Sequence, residues 1–419
     1  MVRTWFSETF ASLSEPRYRV LWAGTSLSFL AFSMSMIVQS VVAFDLTKKN
    51  GSVGFVQLGM GIATIISAPF GGVIADRVSK RVLLLIGQTI ISANFGLVGV
   101  LIITGHITIP ILFTSTLIQG LVFSFIAPAR QAWLGELLSG PLRANGIALQ
   151  QVAMTATRIF GPFLAGALIA LAFVGPGGAY LAMGAIMLLV VATLAQLPPS
   201  PPNKAAGSTA MSAFMDGVRH VSARPRLALL TTMFVGVVIG GFSYQVLLAG
   251  YLEHELGHDR KDMAWMLGVA GFAGLITTVL VAGRASSPRA WQMMVGSALV
   301  LGASLIALAA VGSFAGALVV MLALGAGSSV FQMINSALVL QESDPAYFGR
   351  VASLTMLAWG FNSLVGLPFG ALADHIGERE TLMLMGAIVI GVTIAASGAH
   401  VAIGRRVARV PVPSLARSD

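Results

Sequence analysis

The stretch GGVIADRVSKR, residues 71–81, joins two long apolar segments and places one acid and three basic residues within its last six positions. Outside such short charged stretches the chain is strongly apolar. Hydrophobic residues make up 56% of the chain, charged residues make up 10%, and the mean hydropathy is +0.87. These values lie far from those of a water-soluble domain. The sequence therefore predicts an all-α membrane protein that crosses the bilayer many times.

Long apolar segments occupy most of the chain. A helix needs about 20 residues to cross the hydrocarbon core of a bilayer. Twelve spans are predicted, near 19–44, 53–75, 82–104, 108–133, 144–172, 178–197, 227–251, 263–283, 291–311, 314–340, 351–373 and 381–403. A proline-rich polar stretch follows the sixth span. The predicted parts are an amphipathic cytoplasmic N-terminus at 1–18, a six-helix bundle at 19–197, a cytoplasmic linker at 198–226, a second six-helix bundle at 227–403 and a basic cytoplasmic tail at 404–419.

Basic residues are distributed unevenly between the predicted loops. With the N-terminus inside, nineteen of the 25 Lys and Arg residues fall in inner loops and tails, five fall in outer loops, and Arg158 is left within a span. Inner loops of membrane proteins are enriched in Lys and Arg, so both termini are predicted to be cytoplasmic. The same rule accounts for the net charge of +9 without nucleic-acid binding. The polar start, with no cleavage site after the first apolar run, predicts a surface helix rather than a signal peptide.

The two predicted bundles share a short repeat. In the first, PLRANG (141–146) opens a helix that reaches GPFLAGAL (161–168); in the second, FGRVAS (348–353) opens one that reaches GLPFGAL (366–372). Such repeats are typical of alternating-access carriers, whose substrate site lies near the bilayer midplane between the repeats. Chance similarity between glycine-rich membrane helices is the alternative interpretation.

Five residues of the opening stretch match the loop motif of the major facilitator superfamily, which the chain resembles: Gly72, Asp76, Arg77, Lys80 and Arg81. Ser79 stands where that motif prefers glycine. The resemblance implies twelve transmembrane helices in two six-helix pseudo-repeats. It also implies that Asp76 is a latch that holds the halves together in the outward-open state. An acid at this position can lie against the positive N-terminal end of a neighbouring helix.

Further short matches resemble the branch of the superfamily that contains the bacterial enterobactin exporter. They are RVLWAG (19–24), PARQA (128–132), RAN (143–145), RIFGP (158–162) and GRVASL (349–354). In the fifth helix, Gly161, Pro162 and Gly166 resemble an antiporter motif in which glycines and a proline bend the helix. The resemblance implies export across the bacterial cytoplasmic (inner) membrane.

The resemblance implies proton coupling, but the sequence shows no clear residue that could carry the proton. All sixteen acids fall in predicted loops, tails or helix ends. In the fourth helix, Thr116 stands where a second antiporter motif has arginine. Asp45 and Asp374 are the remaining candidate carriers, and each is more readily interpreted as a solvated charge at the end of a helix.

Arg158 is the charge assigned to the middle of a span. An arginine there costs at least ~2.5 kcal/mol on insertion scales, so it should face the bundle interior. The helical period places Gln151, Thr155, Arg158 and Pro162 on one stripe. Other predicted cavity residues are Gln39, Tyr244, Gln245, Gln332, Asn335 and Asn362. In one interpretation Arg158 meets an anionic or electron-rich substrate group; in the other it binds helix carbonyls or Asp45 while the amides cross-link helices.

We therefore expect a secondary active transporter that exports an amphiphilic or anionic small molecule, such as a siderophore or a drug. A non-transporting receptor or sensor of the same fold and a lipid or lysolipid carrier are the alternatives. A membrane enzyme is disfavoured because no nucleophile, metal cluster or acid–base pair lies within a span. The absence of cysteine excludes thiolate metal sites and disulfides. The expected partners are a small-molecule substrate, the lipid bilayer and a coupling proton, with no cofactor, no metal and no nucleic acid; a monomer is expected.

Overall fold

The computed structural model describes residues 10–171, 173–200, 210–284, 287–344 and 347–408. Side chains are described throughout these ranges except at positions 68, 69, 71–73, 75–77, 141, 144, 210, 213, 282, 348, 349, 352, 353 and 404–408. Within these ranges every regular element is helical, as the sequence predicts. The N-terminal segment up to residue 9 and the tail beyond residue 408 lie outside the described residues.

Six long helices precede the predicted linker: α1 (Pro16–Thr47), α2 (Asn50–Arg77), α3 (Lys80–Ile103), α4 (Ile109–Leu137), α5 (Pro141–Ala170) and α6 (Gly175–Ala195). A short helix, α7 (Ala210–Ser222), follows. The second group contains α8 (Pro225–Phe242), α9 (Met263–Ala282), α10 (Ala290–Ala310), α11 (Phe314–Glu342), α12 (Phe348–Ile376) and α13 (Glu378–Ala408). We refer to α1–α6 as the N-terminal half and to α8–α13 as the C-terminal half.

Eleven helical segments in the described part of the chain are long and apolar enough to cross a membrane. Helix α2 contains the predicted span 53–75, but several of its side chains are not described. The total of twelve spans therefore stays a prediction. Large apolar side chains face outward, among them Val279 at 68% and Leu280 at 66% exposure. Such exposure would be costly in water and is favourable in lipid, because lipid tails are themselves apolar.

Close helix packing joins the two halves along two lines of contact. Helix α2 lies against α12, and α5 lies against α9. A methyl group added at Gly54 would overlap the Gly366 carbonyl, and one added at Gly166 would overlap Ala264. Small residues permit such backbone approach, which drives helix association where no hydrophobic effect acts.

The predicted seventh span is not one continuous helix. Helix α8 ends at Phe242 and is followed by a 3₁₀ turn (Ser243–Val246), a single helical turn (Leu248–Gly250) and a π turn (Tyr251–Glu255). The span predicted near 227–251 is matched by the candidate span Pro225–Val246, but the backbone after Phe242 is irregular, because an apolar run indicates membrane depth and not regular backbone. Irregular backbone is tolerated at that depth where it is buried in protein, and Ser243, Tyr244 and Val246 of this turn are buried.

Helix α7 lies inside the predicted linker, which the sequence analysis treats only as a polar stretch. Its apolar side chains recur at helical spacing, and Val218 and Val221 line a cavity with residues of α8 and α12. Helix α7 therefore packs against α8 and α12 of the C-terminal half, and it also contacts α2 of the N-terminal half.

Candidate functional site

Arg158 lies where the two halves meet. It is part of α5, and its Nη1 lies 3.5 Å from Oε1 of Gln332 in α11. The guanidinium carbon lies 5.8 Å from the centre of the Trp359 ring in α12. Tyr244, on the turn after α8, is an electrostatic neighbour. The Arg158 side chain is nevertheless accessible to solvent. It therefore lines an accessible space between the halves.

The surroundings of Arg158 are neutral. No carboxylate in the described part of the chain lies within 4 Å of its guanidinium. Asp45, which one interpretation paired with Arg158, instead contacts Arg260 and lies 3.7 Å from Lys48. A cation beside an amide and an aromatic ring can hold an anionic or electron-rich ligand.

Helix α5 supports this position through its proline and glycines. Pro162 has no N–H, so the Arg158 carbonyl cannot receive its usual helical hydrogen bond from that residue. A methyl group at Gly161 would lie 2.6 Å from Ser33 of α1. The assigned helix is continuous through Pro162 to Ala170. The bend implied by the antiporter motif stays a prediction, and the glycines are sites of close helix contact.

The remaining predicted cavity residues separate into two groups. Gln151, Thr155 and Gln245 are at least partly exposed. Asn335 is directed into the C-terminal half, where its Nδ2 donates to the Leu230 carbonyl at 3.1 Å. That contact matches the alternative role of an amide that cross-links helices.

Of two other predicted amides, Asn362 is partly exposed and Gln39 is buried. Asn362 accepts a hydrogen bond of 2.9 Å from Ser243. Gln39 is buried in α1, and its Oε1 has no hydrogen-bond partner. Among the predicted set, Gln332 and Tyr244 have described interactions with Arg158. Trp359 is a further neighbour, and it was not predicted because its indole falls outside the polar pattern.

Arg130 is a second arginine within the helices, and unlike Arg158 it is buried. The loop-by-loop count assigned it to the inner loops, but α4 continues to Leu137 and leaves Arg130 4% exposed. Arg158 is therefore not the only charged residue deep within the helices. The predicted span 108–133 already contained Arg130, and that overlap was the available signal.

The basic end of the opening stretch ties α3 to its neighbours. Lys80 is buried, and its Nζ lies 2.7 Å from Oε1 of Glu136 at the end of α4. Glu136 also accepts a hydrogen bond of 2.6 Å from Ser200. Arg81 donates to the Ala195 carbonyl at the end of α6. The predicted latch residues Gly72, Asp76 and Arg77 lie outside the described side chains, so the latch stays a prediction.

Polar groups join the two halves at one end of the molecule. We call it the sealed end; there α1 meets α2, α8 leads to α9, and α12 meets α13. The Asp374 carboxylate accepts the backbone N–H groups of Asn50 and Gly51 at 2.7 and 2.8 Å. The Asn50 amide donates to Glu378 at 2.8 Å, and His254 contacts the same oxygen.

Ion pairs add to the sealed end. Lys48 lies 3.1 Å from Glu253, and Arg260 contacts Asp45 and Glu253. Burial raises the pKa of Glu253, but hydrogen bonds and positive charge from Lys48 and Arg260 outweigh it and hold the pKa below its ordinary value. Asp45 and Asp374 were interpreted as solvated helix-end charges. Asp374 is exposed and Asp45 is partly exposed, and both also bridge the two halves.

A repeated sequence could have revealed the role of Asp374. Residues 72–76 read GVIAD and residues 370–374 read GALAD, so both follow the pattern G-x-x-A-D. The first copy ends α2 and the second ends α12. These two helices pack against each other.

Comparisons with known proteins decide the family. The family model of the Major Facilitator Superfamily matches residues 21–367. The chain belongs to the Major Facilitator Superfamily. Membership of the Major Facilitator Superfamily makes the chain a multi-pass membrane transporter rather than an enzyme, with a small-molecule substrate and a lipid environment.

Relatives within the Major Facilitator Superfamily include two proteins of Bacillus subtilis. Multidrug resistance protein 1 is 22% identical over 84% of this chain and 87% of its own length. Multidrug resistance protein 2 is 20% identical over 88% of this chain and 92% of its own length. The nucleoside transporter NupG superposes with a TM-score of 0.72 at 14% identity, over 92% of this chain and 99% of its own. The last similarity shows the fold alone.

Proposed function

We propose that the protein is a secondary active transporter that exports an amphiphilic small molecule with an anionic or electron-rich group. Arg158 carries this proposal. It is accessible between the halves, lies beside Gln332 and Trp359, and has no carboxylate neighbour among the described residues. A substrate anion would supply the charge partner that the protein does not.

The position of the contacts between the halves supports the proposal of alternating access. The glycine contacts between α2 and α12 run from Gly51 at the sealed end to Gly61, and those between α5 and α9 run from Gly166 to Gly271. With the orientation proposed from the positive-inside rule, the sealed end faces outward. We propose that this state loads substrate from the cytoplasm or inner leaflet, and that opening the sealed end releases it outside.

The proposed cargo class includes drugs and catechol-bearing siderophores. The two Bacillus subtilis relatives carry multidrug resistance in their names, which favours drugs. Aromatic and amide neighbours of Arg158 can stack on and hydrogen-bond with either class. Siderophores are included in the proposed class on the resemblance to the siderophore-exporting branch, and the assay below separates the two classes.

Inverted inner-membrane vesicles provide the test. Flux would be measured for catecholate siderophores, amphiphilic drugs and lysolipids, with and without a proton ionophore. Arg158→Gln should lower flux at least tenfold because a charge-assisted contact contributes about 1.5–3 kcal/mol; Arg158→Lys should retain part of the flux. Arg284→Gln removes an exposed arginine and should transport normally. Wild-type flux by Arg158→Gln at equal abundance would refute the substrate role.

A receptor or sensor of the same fold is the second candidate function, favoured by the position of the described carboxylates at helix ends. Counterflow in liposomes separates the two, because a receptor binds its ligand without moving it. Collapse of flux by the ionophore would support the proton as coupling ion.

A further inference from the structure

Arg130 faces a cavity inside the N-terminal half that the transport proposal does not use. The cavity lies between α1, α3, α4 and α6, and its polar lining is Ser28, Gln88, Gln119 and Arg130. Phe29, Phe32 and Phe123 cover its apolar side. Arg158 belongs to α5 and points toward the C-terminal half, so the two arginines serve different spaces.

The Arg130 guanidinium has few partners. Its Nη2 donates to the Ser28 hydroxyl at 3.3 Å, and its carbon lies 5.4 Å from the centre of the Phe29 ring. The buried Nε has no hydrogen-bond partner. None of the described carboxylates lies within 4 Å of it. A cation that is 96% buried therefore lacks a counter-charge from the described side chains.

The Ser28 hydroxyl gives the cavity a second hydrogen-bond donor for an anion. Its oxygen already accepts a hydrogen bond of 2.8 Å from Gln88 in addition to the Arg130 contact. The Ser28 proton is then available to a further acceptor, because a hydroxyl donates one bond while accepting others. Arg130 and Ser28 can therefore present donors to the same space.

The buried charge of Arg130 needs a compensating interaction. An isolated charge is rarely buried, because desolvation costs more than neutral hydrogen bonds return. The cavity offers about 40 Å³ for the centres of water-sized groups. One water needs roughly 10–15 Å³ on that scale, so there is room for an ion with one or two waters.

We infer that this cavity binds a small inorganic anion, with chloride as the abundant candidate, held by Arg130 and Ser28. The anion neutralises the buried guanidinium and thereby joins α4 to α1. It is a structural ion of the N-terminal half, and the inference does not depend on the identity of the transported substrate.

Purified full-length protein in detergent tests the site. The thermal unfolding midpoint would be measured while sodium chloride replaces sodium gluconate at constant ionic strength, since gluconate is too large for the cavity. The wild-type midpoint should rise with chloride and saturate. Arg130→Gln should lose this saturable rise, and Ser28→Ala should need about fivefold more chloride for half its effect, because it lacks one hydrogen bond.

Arg284→Gln is the matched control, since it removes an exposed arginine, and it should respond to chloride as the wild type does. If Arg130→Gln fails to fold, chloride binding can be compared between Ser28→Ala and the wild type. The measurement is then the broadening of the chloride-35 magnetic resonance line by each protein. A wild-type midpoint or line width that does not respond to chloride, or a response that Arg130→Gln shares, would overturn the inference.

Discussion

Three positively charged side chains within the helices have different surroundings. Arg158 has neutral neighbours from the opposite half, Arg130 has a hydroxyl and an aromatic ring, and Lys80 has a carboxylate. Only Lys80 is neutralised by another described side chain. The arginines are therefore suited to meet a ligand, whereas Lys80 has a structural contact.

The Lys80–Glu136 pair should behave as a structural contact. The Lys80 side chain is 3% exposed, so Glu136→Gln leaves a buried ammonium with a weaker partner. We expect a destabilisation of about 1–3 kcal/mol, seen as a lower unfolding midpoint of the purified protein. Lys80→Met combined with Glu136→Leu should recover most of that loss, because both charges are then absent. A double variant as unstable as Glu136→Gln would contradict this account.

At the scale of elements, apolar length predicted the long helices well. A bilayer demands hydrogen-bonded backbone over about 20 residues, so each long apolar run became a helix. The interruption after Phe242 could not be predicted, since Tyr244 and Gln245 sit in an apolar run with no proline. Trp359 was not predicted as a cavity residue, because the cavity was predicted from polar residues.

Contacts between residues that are far apart in the chain could not be predicted from the sequence. Asp374 binds backbone groups 324 and 323 positions earlier in the chain, and no local pattern reports such a pair. Only the repeated G-x-x-A-D sequence links α2 with α12. Arg130 was wrongly assigned to an inner loop for a related reason. The positive-inside rule uses the position of a charged residue along the chain and not the direction in which its side chain points.

The junction of α1 with the segment before α9 should be sensitive to acid. The pKa of Glu253 is lowered in this state by Lys48 and Arg260. A lowered pKa contributes stability above the ordinary glutamate value of about 4.3, and the contribution is lost as pH falls through the lowered value. The sealed end should therefore open more readily near pH 4 than near pH 7.

Reactivity of a cysteine introduced at the sealed end would report this opening. Glu253→Gln should make the reactivity less dependent on pH, because the titrating carboxyl is gone. Asp262→Asn is the control, since Asp262 contacts His258 within the same half. Equal pH dependence of Glu253→Gln and wild type would count against the proposed role of Glu253.

At the scale of the whole molecule, the two halves are joined at the sealed end, by two helix pairs and by α7, which contacts both α2 and α12. Transporters of this kind move substrate when one end opens as the other closes. The repeated sequence at the ends of α2 and α12 suggests that one helix pair carries a latch at each end. Asp374 is the described one, and Asp76 is the predicted one.

The central claim is that one end of the molecule opens as the other closes. Distances between spin labels test it directly. The chain has no cysteine, so introduced pairs can be labelled without background. Lys49→Cys with Asp259→Cys reports the sealed end, and Ser139→Cys with Arg289→Cys reports the opposite end. All four positions are exposed and lie outside the bridging contacts between the halves.

Asp374→Asn is the decisive change, measured by double electron–electron resonance in liposomes. Loss of charge-assisted bonds to two backbone N–H groups should shift the open-to-closed ratio about tenfold. The account predicts a longer distance at the sealed end and a shorter one at the opposite end, with Asp262→Asn unchanged from wild type. Distances that lengthen at both ends, or that ignore Asp374→Asn, would contradict it.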